Sequence, residues 1–449
     1  MLKYFSLLIV FITAVLIYSC SNSVVGPVEN KPPVAHLSIF PDSIITPGTT
    51  LKKISWWGDD PDGFVVGFRI SFDSVNWGYT TKNDSTFILN INGTDSTFRF
   101  FVQAVDNYGA LSVPASNYYP VTNSAPFMVF NANTNLPDTT FPVATVVWSG
   151  SDPDGSSTIT SYYYSLNDTL HYKRIPGNLT SMTLTKDSGL VLNANNRIYM
   201  KAQDNAGSFS PVVSLPDSAH HWYVKKVNAR ILMIRDIPST DLGTAVSFYN
   251  SAFDTLKFDV LDIKSYGGAL IPKIVNPMFT ETLKLYDFLI WTSGTGNGNA
   301  ANFDLAQNSL PFYVQSGRKL FFTSGFSSSN ISTQGSLINF APVDSLTACT
   351  IPFMLGSENF GRLDPSYPVL KPSISISSIK GLMVSGNATP VYTLNLNRGC
   401  FETINVMIKD VPVNPKVIYL TIPLYNLNGD PDAAKAFIKK VFISEFGYN

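Results

Sequence analysis

The chain repeats itself on the scale of a domain. The sequence ISWWGDDPDG at residues 54–63 recurs as VVWSGSDPDG at residues 146–155, and FFVQAVDNYG at residues 100–109 matches IYMKAQDNAG at residues 198–207. The copies lie roughly 90 residues apart, a spacing too long for a solenoid repeat and typical of a whole domain. Apolar and polar residues alternate after each copy of the first motif, as they do in a β-strand. The repeat therefore predicts two tandem β-domains.

Each of these domains is predicted to be a β-sandwich with an aromatic core. Short alternating segments separated by clusters of Gly, Pro, Asn and Asp are typical of such folds. No cysteine lies between residues 33 and 225, so burial of Trp56 or Trp57 and of Trp148 has to stabilise the cores without a disulfide. The order of a Trp-bearing strand, a polar turn, an aromatic strand and a late strand ending in Asp-Asn resembles fibronectin type III and related immunoglobulin-like modules. The resemblance implies sandwiches at residues 33–121 and 122–225.

The repeated Asp-Pro-Asp-Gly turns have two interpretations. Proline fixes φ, aspartate bonds its own backbone and glycine accepts a positive φ, so the sequence forms a turn without any ligand. Carboxylates are also the hard oxygen ligands that Ca²⁺ takes, although the EF-hand spacing is absent. We favour the turn and keep calcium as the alternative. The candidate ligands are Asp59, Asp60, Asp62 and Asp106 in the first copy and Asp152, Asp154 and Asp204 in the second.

The charge composition argues against binding of nucleic acid. The chain has 31 Lys and Arg residues against 32 Asp and Glu, and charged residues make up 14% of it, compared with about 25% in an average soluble protein. Capture of nucleic acid or of an acidic membrane surface needs a concentrated basic field. The apolar share of 45% is that of a globular chain. We therefore expect an ordered, exported, β-rich protein that does not bind nucleic acid.

The first twenty residues have the features of an export signal. Lys3 precedes an apolar run at residues 7–17, which has the length of a signal-peptide core and is too short to cross about 30 Å of hydrocarbon. The run ends at Tyr18-Ser19-Cys20. This sequence resembles the lipobox of bacterial lipoproteins, although Tyr18 departs from the usual small residue. The alternatives are an uncleaved N-terminal anchor helix and a plain signal peptide that is cut elsewhere.

The lipobox resemblance implies a location. It predicts a signal peptide at residues 1–19, a lipid on the thiol of Cys20 and a tether of Pro and polar residues at 20–32. Several acyl chains attach a protein to a membrane far more firmly than one. Because serine rather than aspartate follows the cysteine, the resemblance implies the outer membrane of a bacterial cell envelope. The membrane is then a partner through this lipid.

The pattern changes at about residue 226. Largely apolar strands are predicted at residues 229–236, 257–263, 286–291, 318–323 and 416–420, with helical apolar stripes between them. Ser239 or Thr240 is placed to cap the first helix, and Asp430 with Pro431 to begin the last. Alternating strands and helices predict an α/β domain at residues 226–449 with a doubly wound, mainly parallel sheet. The arrangement resembles flavodoxin-like folds, most of all the noncatalytic relatives of class I glutamine amidotransferases.

The α/β domain lacks the residues of the amidotransferase reaction. All four histidines, namely His36, His171, His220 and His221, precede it, so a Ser-His-Asp or Cys-His-Glu site cannot be built within it. Sheets of this class bind ligands beyond the carboxyl ends of their strands. The Gly-rich run at these strand ends, TSGTGNGN at residues 292–299, is neither a Walker A motif nor a dinucleotide fingerprint. The candidate ligand-binding residues are Asp236, Ser293, Gly294, Gly296 and Ser324.

These features predict a noncatalytic, surface-anchored lipoprotein with a binding or scaffold role. Two sandwiches would space the α/β domain from the membrane, the ligand would be an unknown protein or glycan, and Ca²⁺ is the one cofactor considered. The alternative is an envelope hydrolase that acts on glycans or peptides through paired carboxylates, which need only be close in space. The sequence leaves open whether Cys349 and Cys400 form a disulfide.

Overall fold

The computed structural model describes residues 29–38, 51–89, 96–121, 123–131, 136–263, 277–294, 303–326 and 343–449. The predicted signal peptide, Cys20, most of the tether and Gly296 lie outside these residues. The chain divides into two compact units. The first comprises Met1–Pro126, Asp152–Thr158 and Asp204–Phe209, and the second comprises the rest. Within the described ranges, no helix combines the length and the apolar composition that crossing a membrane requires.

The first module is a sandwich of two antiparallel sheets in the first unit. Its sheets have the orders β1-β2-β5 and β4-β3-β6-β7. Both sheets contribute to one core, in which Trp56, Phe68 and Phe100 are buried, whereas Trp57 is 46% exposed. The strands are β1 (Val34–Leu37), β2 (Leu51–Asp59), β3 (Val65–Ser71), β4 (Gly78–Thr80), β5 (Asp84–Ile88), β6 (Ser96–Asp106) and β7 (Ala115–Val121).

The second module repeats this topology. Its main sheets have the orders β8-β10-β13 and β12-β11-β15-β16, and a small sheet has the order β14-β17-β9. The copies of each repeated motif lie on equivalent strands, since Trp56 is on β2 and Trp148 on β10, and the second motif lies on β6 and on β15. The strands are β8 (Phe127–Phe130), β9 (Thr139–Thr140), β10 (Ala144–Ser151), β11 (Ile159–Leu166), β12 (Lys173–Pro176), β13 (Ser181–Leu184), β14 (Ala194–Asn195), β15 (Ile198–Asp204), β16 (Val213–Leu215) and β17 (Tyr223–Val224). Single 3-10 turns lie at Ser156–Thr158 and Lys186–Ser188.

The remainder of the second unit contains a ten-stranded sheet. Its main path is β19-β18-β20-β21-β29-β28-β26-β22, with β27 joined to β28 and β24 joined to β27. The strands are β18 (Ile231–Asp236), β19 (Phe258–Asp262), β20 (Phe288–Ser293), β21 (Lys319–Thr323), β22 (Val343–Leu346), β24 (Gly361–Arg362), β26 (Leu382–Val384), β27 (Thr389–Leu394), β28 (Ile404–Lys409) and β29 (Val417–Leu420). A separate two-stranded antiparallel sheet pairs β23 (Ile351–Met354) with β25 (Ile376–Ile379).

Helices cover both faces of the parallel part of this sheet. The helices are α1 (Ser239–Phe253), α2 (Pro277–Leu283), α3 (Phe303–Gln315) and α4 (Pro431–Lys439), with a 3-10 turn at Leu424–Asn426 and a π-helical turn at Lys440–Glu445. Phe248 of α1 and Phe437 of α4 pack with strand residues in one core cluster. Phe279 of α2 and Leu310 of α3 pack in the other. Because both faces are covered, every residue of β20 is buried.

The sheet is mixed rather than mainly parallel. Strands β19, β18, β20, β21 and β29 pair in parallel, at the positions predicted from the sequence. The other five strands are joined by antiparallel pairings and come from residues 343–409. No helical pattern separates these strands, so the alternation of strands and helices that identified the parallel strands was missing. Their region is closed by a disulfide between Cys349 and Cys400.

One of the two predicted helix caps is wrong. The side chain of Asp430 accepts hydrogen bonds from the backbone N–H groups of Asp432 and Ala433, with Pro431 at the first helical position as predicted. At α1, by contrast, Pro238 is the N-cap residue and makes no side-chain hydrogen bond. Ser239 already belongs to the helix, because the fixed φ of the proline begins the turn one residue earlier.

Candidate functional site

The predicted ligand-binding residues of the large sheet meet at the carboxyl ends of its parallel strands. Asp236 ends β18 and lies opposite Ser293 at the end of β20, and Ser324 directly follows β21. All three side chains are buried. The backbone at Gly294 is packed so closely that a Cβ would lie 2.5 Å from Cδ of Pro238. This edge of the sheet therefore presents small polar groups beside a backbone that tolerates only glycine.

Neighbouring hydroxyl groups at this edge are engaged in structural hydrogen bonds. Tyr249 donates to Oγ1 of Thr292 at 2.7 Å, and burial raises the pKa of this tyrosine. Thr323 donates to the carbonyl of Ile422 at 2.7 Å and accepts from the N–H of Leu424 at 2.9 Å. Since the sequence has no histidine after residue 221, the edge has no imidazole of its own for proton transfer. Its carboxylate and hydroxyl groups, those of Asp236, Ser293 and Ser324, are of the kind that form hydrogen bonds with a polar ligand.

The acidic turns of the first module form a hydrogen-bonded cluster. The side-chain amide of Asn30 donates to Oδ2 of Asp106 at 2.7 Å, and the N–H of Lys31 donates to Oδ2 of Asp62 at 3.0 Å. The N–H of Asp62 in turn lies 3.4 Å from Oδ1 of Asp60. The hydrogen bond from Asn30 is the main reason that the pKa of Asp106 is lowered. The cluster joins the segment before β1 to two turns that are far away in the sequence.

The second set of acidic turns has the same arrangement within the first unit. Asn123 donates to Oδ2 of Asp204 at 2.7 Å, and the N–H of Ser124 donates to Oδ2 of Asp154 at 2.9 Å. The N–H of Asp154 donates to Oδ1 of Asp152 at 2.8 Å. The pKa of Asp154 is raised by burial and by repulsion from the carboxylates of Asp152 and Asp204. The turn interpretation accounts for these backbone hydrogen bonds, and a pair of asparagine side chains, one in each cluster, completes the two arrangements.

That pair, Asn30 and Asn123, was not identified from the sequence. The signal was present, because Asn-Lys-Pro-Pro at residues 30–33 and Asn-Ser-Ala-Pro at residues 123–126 precede the two acidic turns by nearly equal distances. Asp59, in contrast, was predicted as a ligand and lies apart from these hydrogen bonds. Its carboxylate is 3.2 Å from Nε2 of His36.

Several side-chain oxygen atoms in the clusters are buried without a hydrogen-bond partner. They are Oδ1 of Asn30 and Oδ2 of Asp60 in the first cluster, and Oδ1 of Asn123, Oδ2 of Asp152 and Oδ1 of Asp154 in the second. An unpaired buried acceptor costs about 1–3 kcal/mol. Yet among the described residues no group of three or more His, Cys, Asp or Glu side chains is arranged to hold a metal ion. A cation could therefore bind there only if amide or backbone oxygens completed its coordination.

The histidines pair locally with aspartates. His171 contacts Asp168, and Nδ1 of His220 lies 2.6 Å from Oδ1 of Asp217, which raises the pKa of this histidine. Both pairs lie in the second module. Among the described residues, the adjacent His221 belongs to no group of three or more His, Cys, Asp or Glu side chains that could hold a metal ion.

The chain is similar to solved structures of PKD and fibronectin type III-like modules. The PKD1 domain of Vibrio anguillarum Epp is 17% identical over 21% of this chain and 100% of that domain, with a TM-score of 0.17. Fibronectin(III)-like modules of Clostridium thermocellum CbhA are 13% identical over 43% of this chain and 95% of theirs, with a TM-score of 0.19. A segment of two fibronectin type III domains from chicken tenascin is 16% identical over 41% of this chain and 97% of its own length, with a TM-score of 0.21. No protein-family model and no curated protein matches the sequence.

Proposed function

We propose that this chain is a noncatalytic lipoprotein of a bacterial cell envelope, anchored through Cys20, with a binding or scaffold role. The observation that carries the proposal is the disulfide between Cys349 and Cys400. Structural disulfides persist in oxidising compartments and are rare in the cytosol. The chain has three cysteines, so Cys20 is the one outside the disulfide. It stands directly after an apolar run of signal-peptide length, where acylation would use it.

We infer a doubly wound, flavodoxin-like domain from residue 226 onward. In chain order, the parallel strands lie as second, first, third, fourth and fifth across the sheet, which is the order of flavodoxin-like sheets. Helices on both faces support the same inference. The strand ends carry Asp236, Ser293 and Ser324 but no imidazole, and this favours binding of a protein or glycan over catalysis. In this proposal the two sandwiches serve as spacers between the membrane and the binding domain.

Metabolic labelling tests the anchor. The full chain is expressed in a bacterium with an alkyne-bearing fatty acid and compared with Cys20→Ala. We expect label and membrane association in the parent chain and neither in the variant. Cys349→Ala combined with Cys400→Ala is the matched control, because it removes two cysteines but keeps the acylation site. Recovery of the parent chain unlabelled in the cytosol would overturn the proposal.

The competing hydrolase hypothesis is tested by turnover. The mature chain is incubated with labelled glycans and peptides, and release of product is followed. We expect no turnover. Cleavage that is abolished by substitution of a single Asp or Glu would show that the chain is a hydrolase and would overturn the noncatalytic proposal.

A second candidate function is calcium-dependent stiffening of the acidic clusters. The observation that favours it is the set of buried, unpaired oxygens contributed by Asn123, Asp152 and Asp154. Oxygen ligands of this kind suit Ca²⁺, and a bound cation would offset the repulsion that these carboxylates exert on one another.

Thermal unfolding in calcium and in chelator tests this second candidate. We expect calcium to raise the melting temperature of the parent chain and to have no effect on Asp154→Asn. In chelator the variant should melt at or above the parent temperature, because the amide removes a like-charge contact. Asp187→Asn, at an exposed position, is the matched control and should respond to calcium as the parent does. Equal melting temperatures of the parent with and without calcium would exclude the site.

A further inference from the structure

A cavity of about 300 Å³ lies within the second unit, between the second module and the large sheet. On one side are Thr139 and Thr140 of β9, and on the other are the end of β19 and the start of α2. Its walls are mainly apolar and are formed by Phe141, Val260, Leu261, Met278 and Phe279. The volume is at the lower end of the range of small-molecule sites, which are typically apolar with a few polar groups and often lie between domains.

The polar group of greatest interest in this cavity is the ammonium of Lys225. Its Nζ donates to the carbonyl of Val260 at 3.2 Å and lies 3.9 Å from the ring centroid of Phe141. An ammonium carries three N–H groups, and within the described residues the bond to Val260 is the one hydrogen bond that Nζ makes. Burial lowers the pKa of Lys225. The side chain therefore places a cation at an apolar wall with hydrogen-bonding capacity to spare.

Two nearby carboxylates, those of Asp262 and Asp259, are engaged elsewhere, whereas a third, Asp138, also lines the cavity and is exposed. Asp262, in the cavity wall, accepts two hydrogen bonds of 2.5 Å from Arg235. Asp259 accepts from the backbone N–H of Asn228 at 2.8 Å and from Oη of Tyr286 at 3.1 Å. Both carboxylates still favour the charged form of the lysine, but neither forms an ion pair with it within the described residues. An anion in the cavity would supply the close partner that a partly buried cation requires.

We propose that this cavity binds a small apolar molecule that carries one carboxylate. The carboxylate accepts hydrogen bonds from Lys225, and the hydrocarbon part lies against Phe141, Leu261 and Met278. Charge-assisted hydrogen bonds of this type are stronger than neutral ones, and burial of the hydrocarbon adds about 25 cal/mol per Å² of apolar surface. The cavity size limits the ligand to a medium-chain fatty acid or a small aromatic acid. Asp236, Ser293 and Ser324 do not line this cavity, so the proposal does not depend on the role proposed for them.

Titration with octanoate tests the proposal. The chain from residue 20 with Cys20→Ser keeps every described residue, and binding is measured by calorimetry. We expect saturable binding of one octanoate and at least a tenfold weaker affinity in Lys225→Met. Lys226→Met is the matched control, because it removes the charge of the adjacent, exposed lysine, and its affinity should equal that of the parent. Octan-1-ol should bind at least tenfold more weakly than octanoate.

A second measurement needs no substitution in the cavity. With methionine methyl groups labelled with ¹³C, octanoate should shift the methyl resonance of Met278 and leave that of Met407, in the core of the large sheet, unchanged. If the parent binds no octanoate, or if Met278 is unaffected while binding occurs, the cavity is not the site. Equal affinities of octanoate and octan-1-ol, or equal affinities of the parent and Lys225→Met for octanoate, would show that the cavity does not recognise a carboxylate through Lys225. Either result would overturn the proposal.

Discussion

At the scale of single residues, the least expected feature is a network of buried charged side chains between the large sheet and the C-terminal π-helical turn. Lys409 is 4% exposed and lies 3.2 Å from Oε2 of Glu445, which is itself buried and also 3.2 Å from Lys440. The carbonyl of Pro412 accepts a further hydrogen bond from Lys409 at 3.0 Å. Sequence patterns could not reveal this network, because its members come from β28 and the C-terminal π-helical turn and meet only in the folded chain.

Removal of one partner of this network should be costly. In Lys409→Met the carboxylate of Glu445 remains buried but keeps only one of its two lysine partners, Lys440. We therefore expect a loss of about 3 kcal/mol in the free energy of unfolding. The midpoint of urea unfolding measures it. Lys416→Met, at an exposed position nearby, should change stability by less than about 0.5 kcal/mol. A midpoint for Lys409→Met equal to that of Lys416→Met would contradict the prediction.

The asparagine at the start of the first module should control a neighbouring titration. In Asn30→Ala, Asp106 loses the main cause of its lowered pKa, which should rise toward the ordinary value of 3.8. A lowered folded-state pKa stabilises above the unfolded pKa, and this stability is lost as the pH falls. The variant should therefore unfold at a higher pH than the parent during acid titration.

Carboxyl NMR of Asp106 measures this change directly. Asn83→Ala, at an exposed position of the same module, should leave the titration of Asp106 as it is in the parent. An unchanged pKa of Asp106 in Asn30→Ala would show that the amide does not stabilise the carboxylate.

At the scale of elements, the sequence was informative wherever a local pattern determines the structure. Alternation and buried apolar runs identified the strands that carry Trp56, Trp148 and Trp291, because one or both faces of each strand are covered by a core. The antiparallel strands at residues 343–409 were missed, since strands joined by irregular segments rather than by helices have no long-range period. The same limit applies to the sites. The repeated aspartates were visible, and the nearly equal spacing of their asparagine partners could have been recognised, whereas the cavity around Lys225 depends on contacts between distant segments.

The sequence predicted a side-chain cap at the N-terminus of α1 and another at the N-terminus of α4. These two positions should respond differently to substitution. Asp430→Ala removes the acceptor for two backbone N–H groups of α4, so we expect a loss of about 1 kcal/mol in the free energy of unfolding. Ser239→Ala should cost less than about 0.5 kcal/mol, because Ser239 lies inside α1 and is not its cap. Denaturant unfolding of both variants provides the comparison. Equal losses in the two variants would show that the hydrogen bonds accepted by the Asp430 side chain do not stabilise α4.

At the scale of the whole molecule, the second module and the large sheet share a core within the second unit. Phe141, from the segment between β9 and β10, is buried in the cluster that contains Tyr286 and Trp291. Its ring meets that of Tyr286 edge to face at 5.4 Å. Because the second module shares buried aromatic residues with the large sheet, we expect these two parts of the second unit to move together rather than to swing freely.

Truncation of this contact should uncouple the two parts. We expect Phe141→Ala to lower the free energy of unfolding by about 3–5 kcal/mol and to convert one cooperative transition of the second unit into two. Calorimetry detects the split, and hydrogen exchange assigns each transition to the module or to the sheet. Phe127→Ala removes a ring that is 56% exposed on β8 of the same module, so its transition should stay single. A single transition in Phe141→Ala as well would mean that the remaining contacts between the module and the sheet are sufficient to couple their unfolding.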